Sequence, residues 1–230
     1  MYKHIFFDLD HTLWDFETNA AQALQELYIH LDLEAKGITP YPLFQQQYLH
    51  HNALYWGQYH KQLITAQDLK WQRMAATLQD FRIHDTALAK QMSAKFLELL
   101  PIKKEIFPYT KEILNYLLSK QYTLHLITNG FEDTQWRKLK SSGLDTYFTH
   151  VITSESTGYI KPQREIYDHA ITIAKATADE SIMIGDNVDA DIKGAANAGW
   201  HSIYVNYNNT TAPAEATYTV TQLKELEQIL

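Results

Sequence analysis

The sequence contains no cysteine. That excludes a disulfide framework, a thiolate nucleophile and any cysteine-ligated zinc or iron–sulfur centre. Positive charge is in the minority: 20 Lys and Arg against 27 Asp and Glu leave a formal charge of −7, the wrong sign for a general nucleic-acid binder. No apolar run approaches the ~20 residues that a membrane-crossing helix needs. Asp8 and Asp10 arrive too early for the apolar stretch of a secretory signal. There is no Walker-type glycine loop and no G-x-G-x-x-G, which disfavours a P-loop enzyme and a dinucleotide enzyme, and no H-E-x-x-H, which disfavours a zinc site. What remains is a chain of 230 residues, 45% of them hydrophobic, too apolar for disorder. A globule of this length buries roughly 70–75% of its unfolded surface, enough for a full core. At about 150 residues per domain, the length suits one core with a substantial insertion. A soluble, cytoplasmic protein is expected, with no membrane and no nucleic-acid polymer as partner.

Periodicity divides the chain. Ile5, Phe6 and Phe7 form a short apolar run that ends in carboxylates, the pattern of a buried strand. Residues 18–100 show no strand pattern. Ala20, Ala23, Leu24, Leu27 and Leu31 recur at helical spacing, as do Leu88, Met92, Phe96 and Leu99. Beyond Pro101 strands and helices alternate. Strands are expected at 123–127, 150–152, 181–184 and 202–205, and helices at 110–119, 135–142, 162–175 and 190–198. A polar loop should cover 206–217, and Thr221 should cap a closing helix. Alternation of this kind implies βαβ units and a parallel sheet. The expected architecture is therefore α/β, a Rossmann-like parallel sheet interrupted after its first strand by an all-helical insertion. The domains are then 1–16 with 101–230 for the core, and 17–100 for the insertion.

In open parallel sheets ligands bind beyond the carboxyl ends of the strands. The residues just past the expected strands are Asp8, Asp10 and Thr12; Thr128, Asn129 and Gly130; Ser154, Glu155 and then Lys161; and Gly185, Asp186, Asn187, Asp189 and Asp191. Carboxylates, a hydroxyl and an ammonium should meet at one sheet edge. Several acids together need a cation, and an all-oxygen set without Cys or His favours Mg²⁺. A hydroxyl and an ammonium beside it suit phosphoryl oxygens, and an aspartate can serve as a nucleophile in phosphoryl transfer. Taken singly, Thr128 reads better as an ST-turn and Asn129-Gly130 better as a plain tight turn. Asp189 reads as part of a helix N-terminus rather than a ligand. His50, His51 and His60, lacking ligand spacing, read as solvated helix residues. The aromatics between Tyr48 and Trp71 read as core of the helical insertion.

Asp8-Leu9-Asp10-His11-Thr12-Leu13, Thr128-Asn129-Gly130, Lys161-Pro162 and Gly185-Asp186-Asn187 with Asp189 and Asp191 resemble, in order, the four motifs of the haloacid dehalogenase-like hydrolases. The resemblance spans the chain and implies a helical cap after the first motif. It implies Asp8 as the nucleophile, and Asp10 as general acid and then base. Thr128, the Asn129 backbone and Lys161 become phosphate-binding groups. Asp8, the Asp10 carbonyl and Asp186 become Mg²⁺ ligands, with Asp191 acting through water or by orienting Lys161. One departure is His11, where many members carry Gly. Trp14-Asp15-Phe16 is similar to the noncanonical pyrimidine nucleotidases, with acylneuraminate phosphatases close behind. The resemblance thus implies a Mg²⁺-dependent phosphomonoester hydrolase acting on a small phosphorylated metabolite, foremost a nucleoside 5′-monophosphate. The alternatives are an acylneuraminate or sugar phosphate phosphatase, then a phosphomutase, a 2-haloacid dehalogenase or a non-catalytic phospho-signalling module. A monomer or weak homodimer is expected.

Overall fold

The computed structural model describes residues 2–230. The chain divides into two compact units: one runs to Phe16 and resumes at Lys104–Leu230, and the other is Glu17–Lys103.

The first unit is built on a six-stranded parallel sheet in the order β3-β2-β1-β4-β5-β6. Its strands are β1 His4–Phe7, β2 Thr123–Thr128, β3 His150–Thr153, β4 Ser181–Gly185, β5 His201–Val205 and β6 Tyr218–Val220. Central strands of a sheet covered on both faces read as unbroken apolar runs rather than alternating ones. The β1 and β4 residues Ile5–Phe7 and Ile182–Ile184 are accordingly wholly buried. One sheet face carries Phe6, Ile127, Ile152 and Met183, packed with Ile166, Tyr167, Ala170, Ala195 and Trp200 in a single cluster. β1 lies between β2 and β4 in parallel register, so the chain leaves it in both directions across the sheet. This is the topological switch point, where a crevice opens at the carboxyl ends of the strands.

The second unit contains four helices: α1 Phe16–His30, whose first residue belongs to the sheet unit, α2 Tyr41–His60, α3 Ala66–Asp80 and α4 Thr86–Leu99. A capping box at Thr65 and Asp68 opens α3, and the Asp85 side chain accepts from Leu88 N to open α4. Its interior is apolar and aromatic, with Leu24, Phe44, Tyr48, Met74 and Phe96 fully buried. No helix among the described residues is long and apolar enough to cross a membrane.

Along the sheet unit follow α5 Thr110–Ser119, α6 Glu132–Ser142, α7 Ser154–Thr157, α8 Arg164–Ala174 and α9 Gly194–Asn197. Several expectations are corrected. β6 falls where only a loop leading to a helix was expected, because three residues with two exposed give no pattern. Thr221 does not cap the closing helix. That segment is a 3₁₀ turn, Leu223–Gln228, preceded by Gln222, and Thr221 bonds instead to the Glu225 carboxylate. α8 begins at Arg164 rather than Pro162, because Gln163 is still extended and its side-chain oxygen accepts from Ile160 N. The helix expected at 190–198 is a π-helical turn, Val188–Lys193, running into α9. Such wide turns recur at functional sites.

Candidate active site

Six residues at or just beyond the ends of β1, β2 and β4 and in the turn before α8 build the site: Asp8, Thr128, Asn129, Lys161, Asp186 and Asp191. Asp8 follows β1, its backbone N–H donating to Ile184 O at 2.9 Å. Lys161 reaches back under the sheet edge, 2% exposed. Its ammonium donates to Asp8 Oδ1 at 2.7 Å, Asp191 Oδ1 at 2.6 Å and Ile127 O at 2.8 Å. All three ammonium hydrogens are thereby used. Asp191, wholly buried, also accepts from Asn187 N through Oδ2 at 3.0 Å. Gly185 makes this approach possible: a Cβ there would lie 2.2 Å from Asp191 Oδ2. Asp186 is half-buried and accepts from Thr12 Oγ1 at 3.1 Å.

Oxygens of Asp8, Asp186 and Asp191 lie within 4.8 Å of one another. Three carboxylates crowd one ammonium at a buried position, and burial and mutual repulsion both act against their charged forms. Burial, with Asp191 and Asp10 adding, raises Asp8 to about 7 despite the opposing pull of Lys161. Burial first, and then Asp8 and Asp191, raise Asp186 well above the ordinary carboxylate range. Lys161 is raised as well: burial works against its charge, but Asp191 and Asp8 outweigh it. A hard divalent cation facing Asp8 and Asp186 removes this strain, so the donor set fits Mg²⁺. Asp191, with both oxygens engaged by Lys161 and Asn187, is the member least able to turn toward an ion.

The opposite wall is Thr128 and Asn129, both buried. The Asn129 side chain brackets the Lys161 backbone, donating to its carbonyl at 2.9 Å and accepting from its N–H at 2.7 Å. Thr128 Oγ1 accepts from Gly130 N at 3.1 Å, so the ST-turn is present along with the strand-end placement. Asp189 does not join the group. It is exposed and pairs with Lys193 at 2.7 Å, while Asn187, not Asp189, is the cap, accepting from Asp189 N and Ala190 N.

Asp10 lies on the loop after β1, with its carboxylate held by Lys138 and Gln135 of α6. Neither partner stood out in the sequence. The available signal was the poverty of α6, whose only large apolar residues are Trp136 and Leu139. A helix covering a sheet edge with so narrow an apolar stripe must bury polar groups. Tyr207 is a further addition: stacked on Phe107 at 4.2 Å, it donates to Thr12 O at 2.9 Å.

A parallel sheet of this order, with acids at the ends of β1 and β4 around one lysine, defines a class, and comparison with known proteins agrees. The haloacid dehalogenase-like hydrolase family model matches residues 2–199, and the chain belongs to that family. Among its relatives is the HAD-hydrolase YfnB of Bacillus subtilis, 30% identical over all of this chain and 95% of that protein. A magnesium-bound crystal structure of YfnB superposes with a TM-score of 0.89 at 28% identity, over 100% of this chain and 98% of that one. The pyrimidine 5′-nucleotidase PynA of Streptococcus pneumoniae is 29% identical over 98% of this chain and 93% of its own length. A glyceraldehyde 3-phosphate phosphatase of Methanothermobacter thermautotrophicus is 31% identical over 92% and 89%.

Proposed function

We propose that the protein is a Mg²⁺-dependent phosphomonoester hydrolase that works through a phosphoryl group carried on Asp8, with nucleoside 5′-monophosphates as its preferred substrate class. The observation that carries this reading is the buried Asp8–Lys161–Asp191 array beside Asp186, with a second carboxylate, Asp10, held separately.

Asp8 Oδ2 attacks phosphorus while Oδ1 stays on Lys161. The P–O bond to the leaving alcohol breaks, and Asp10 gives that oxygen its proton. Water then attacks the phosphoryl group, Asp10 takes the water proton, and the bond to Asp8 breaks to return its carboxylate and orthophosphate. Asp8, Asp186 and the Asp10 carbonyl would hold a magnesium ion, which when bound would neutralise charge on the phosphoryl oxygens. The Thr128 hydroxyl and the Asn129 backbone N–H donate to those oxygens. Lys161, its hydrogens spent, acts by charge, and Asp191 fixes its place. Preorganised groups of this kind act at the transition state without further rearrangement.

The retained Asp10 and Asp186 favour this chemistry over dehalogenation, since a departing halide needs no proton and no metal. The substrate class is supported by the Trp14-Asp15-Phe16 segment and by the name of the pyrimidine 5′-nucleotidase relative. A second reading, a triose or other sugar phosphate as substrate, is supported by the name of the glyceraldehyde 3-phosphate phosphatase relative. Turnover of uridine 5′-monophosphate, glyceraldehyde 3-phosphate and acylneuraminate 9-phosphate, with Mg²⁺ and with EDTA, tests both. The expected result is highest kcat/KM on the nucleotide and no turnover in EDTA. Faster hydrolysis of either sugar ester overturns the substrate class, and undiminished turnover in EDTA overturns the metal.

A further inference from the structure

Two polar side chains one turn apart on α6 are buried at a depth that ordinarily excludes them. Gln135 is 0% exposed and Lys138 is 3% exposed, whereas the large apolar Trp136 between them is 36% exposed. Burying an ammonium and an amide is unfavourable unless each has specific partners. Lys138 has a forked pair: its Nζ lies 2.6 Å from Oδ1 and 2.8 Å from Oδ2 of Asp10. The same ammonium sits 4.5 Å from the ring centre of Trp14, which is fully buried. Gln135 Nε2 donates to Asp10 Oδ2 at 3.0 Å and to Thr128 Oγ1 at 2.7 Å. It reaches them across the bare backbone of Gly130, where a Cβ would lie 2.3 Å from that Nε2. The other end of the amide, Oε1, is buried without a hydrogen-bond partner, a loss accepted to place Nε2.

The donor count has two consequences. Asp10 Oδ2 takes two donors, from Lys138 and Gln135, while Oδ1 takes only Lys138, which leaves Oδ1 the carboxyl oxygen with room to exchange a proton. Thr128 Oγ1 accepts from both Gln135 and Gly130 N, filling both lone pairs. Its one hydrogen is left to be donated to another acceptor.

We infer that Gln135 and Lys138 are positioning residues for the acid–base step, holding the Asp10 carboxyl and the Thr128 hydroxyl in one joint geometry. The inference rests on the assignment of Asp10 as acid and base proposed above. Each acts through another side chain, Lys138 through Asp10 and Gln135 through Asp10 and Thr128. Lys138 fixes the rotation of the carboxyl group, so that one oxygen faces the leaving group and then the attacking water. Gln135 ties that orientation to the hydroxyl that receives the phosphoryl group. A purely architectural ion pair, fastening α6 to the loop after β1, makes a different prediction, because it has no reason to depend on the leaving group.

The test compares wild type with K138M, K138R, Q135L, D10N and K138M/D10N. The substrates are p-nitrophenyl phosphate, phenyl phosphate and uridine 5′-monophosphate, in saturating Mg²⁺. General acid assistance is worth about 10²–10⁴-fold and is needed most by the worst leaving group. K138M is expected to lower kcat on uridine 5′-monophosphate by about 10²-fold, with a loss below about tenfold on p-nitrophenyl phosphate and little change in KM. K138R restores most of the nucleotide rate. K138M/D10N is no slower than D10N, because groups acting as a unit are not additive. Q135L shows the same leaving-group dependence and also weaker inhibition by orthophosphate, since Thr128 loses its orientation. Equal losses on all three esters, or a K138M effect that multiplies with D10N, overturn the inference. If K138M fails to fold, Q135L and K138R decide alone: Q135L without leaving-group dependence refutes it. D10N separates this inference from the one beneath it. D10N without leaving-group dependence removes the acid–base role of Asp10 and both claims fall. D10N with it, and Q135L and K138M without, removes only the positioning role.

Discussion

His11 holds a φ of 63°, in the left-handed region where a Cβ is strained by roughly 1–2 kcal/mol. That is a backbone conformation suited to the Gly that the family resemblance implies at this position. The turn is closed by His11 N donating to Trp14 O at 2.9 Å, and the imidazole lies 5.0 Å from the ring of Phe16. Similar accounting separates the acids of the last motif. Asp186 faces Asp8 from within the site, whereas Asp189 faces outward to Lys193. Asp186→Ala should raise the Mg²⁺ concentration needed for half-maximal activity by about 10–100-fold or more, the scale on which metal-site residues act. Asp189→Ala should leave it within about twofold, as for an exposed substitution. A Mg²⁺ titration of activity for both variants checks this, and greater sensitivity at Asp189 would reverse the assignment.

At the scale of elements, three neighbouring strands on one side of the sheet carry a row of imidazoles. His4 of β1, His125 of β2 and His150 of β3 stack with centroid distances of 5.4 and 5.2 Å, and His4 Nδ1 lies 3.1 Å from His125 Nε2. Burial first, and then His4 and His150, pushes His125 down to about 3 from its ordinary 6.5. Between those values the unfolded chain binds a proton that the folded chain refuses. The stability associated with neutral His125 is therefore intact above about pH 6.5 and declines as pH falls toward 3, with a limiting slope of about 1.4 kcal/mol per pH unit. His125→Phe keeps a ring on Phe6 and removes the titration. Denaturant unfolding of this variant from about pH 7 to about pH 4 should show a shallower loss of stability than wild type; a parallel decline would contradict the account. The elements themselves were legible to unequal degrees. β1, β2 and β4 announced themselves because burial on both faces demands continuous apolar runs. β6 and α7 did not, because three and four residues at an edge carry no period. α6 was legible as a helix but not as a wall of the site, since its inward face is Gln135 and Lys138, which composition alone assigns to solvent. Asp8, Thr128, Lys161 and Asp186 were readable because strand ends in a parallel sheet converge. Gln135 and Lys138 depended on which way one helix turned.

On the scale of the molecule, the two units each hold a core of their own, and the chain passes from one to the other after Phe16 and before Lys104. In chain order the helical unit falls between β1 and α5, and every charged group of the site described here belongs to the α/β unit. The sheet places the carboxylates at its switch point, beside the paired strands β1 and β4, and Lys161 offsets part of the charge crowded there. The claim that unites these observations is that Asp8 forms a covalent bond to phosphorus. Acid quenching within the first turnover of Asp10→Asn on ³²P-labelled p-nitrophenyl phosphate, followed by borohydride reduction and peptide mapping, measures it most directly. The account predicts label stable to acid, and homoserine at position 8 after reduction, with neither in Asp8→Asn. Turnover without any protein-bound label, or label mapped to another residue, would contradict it.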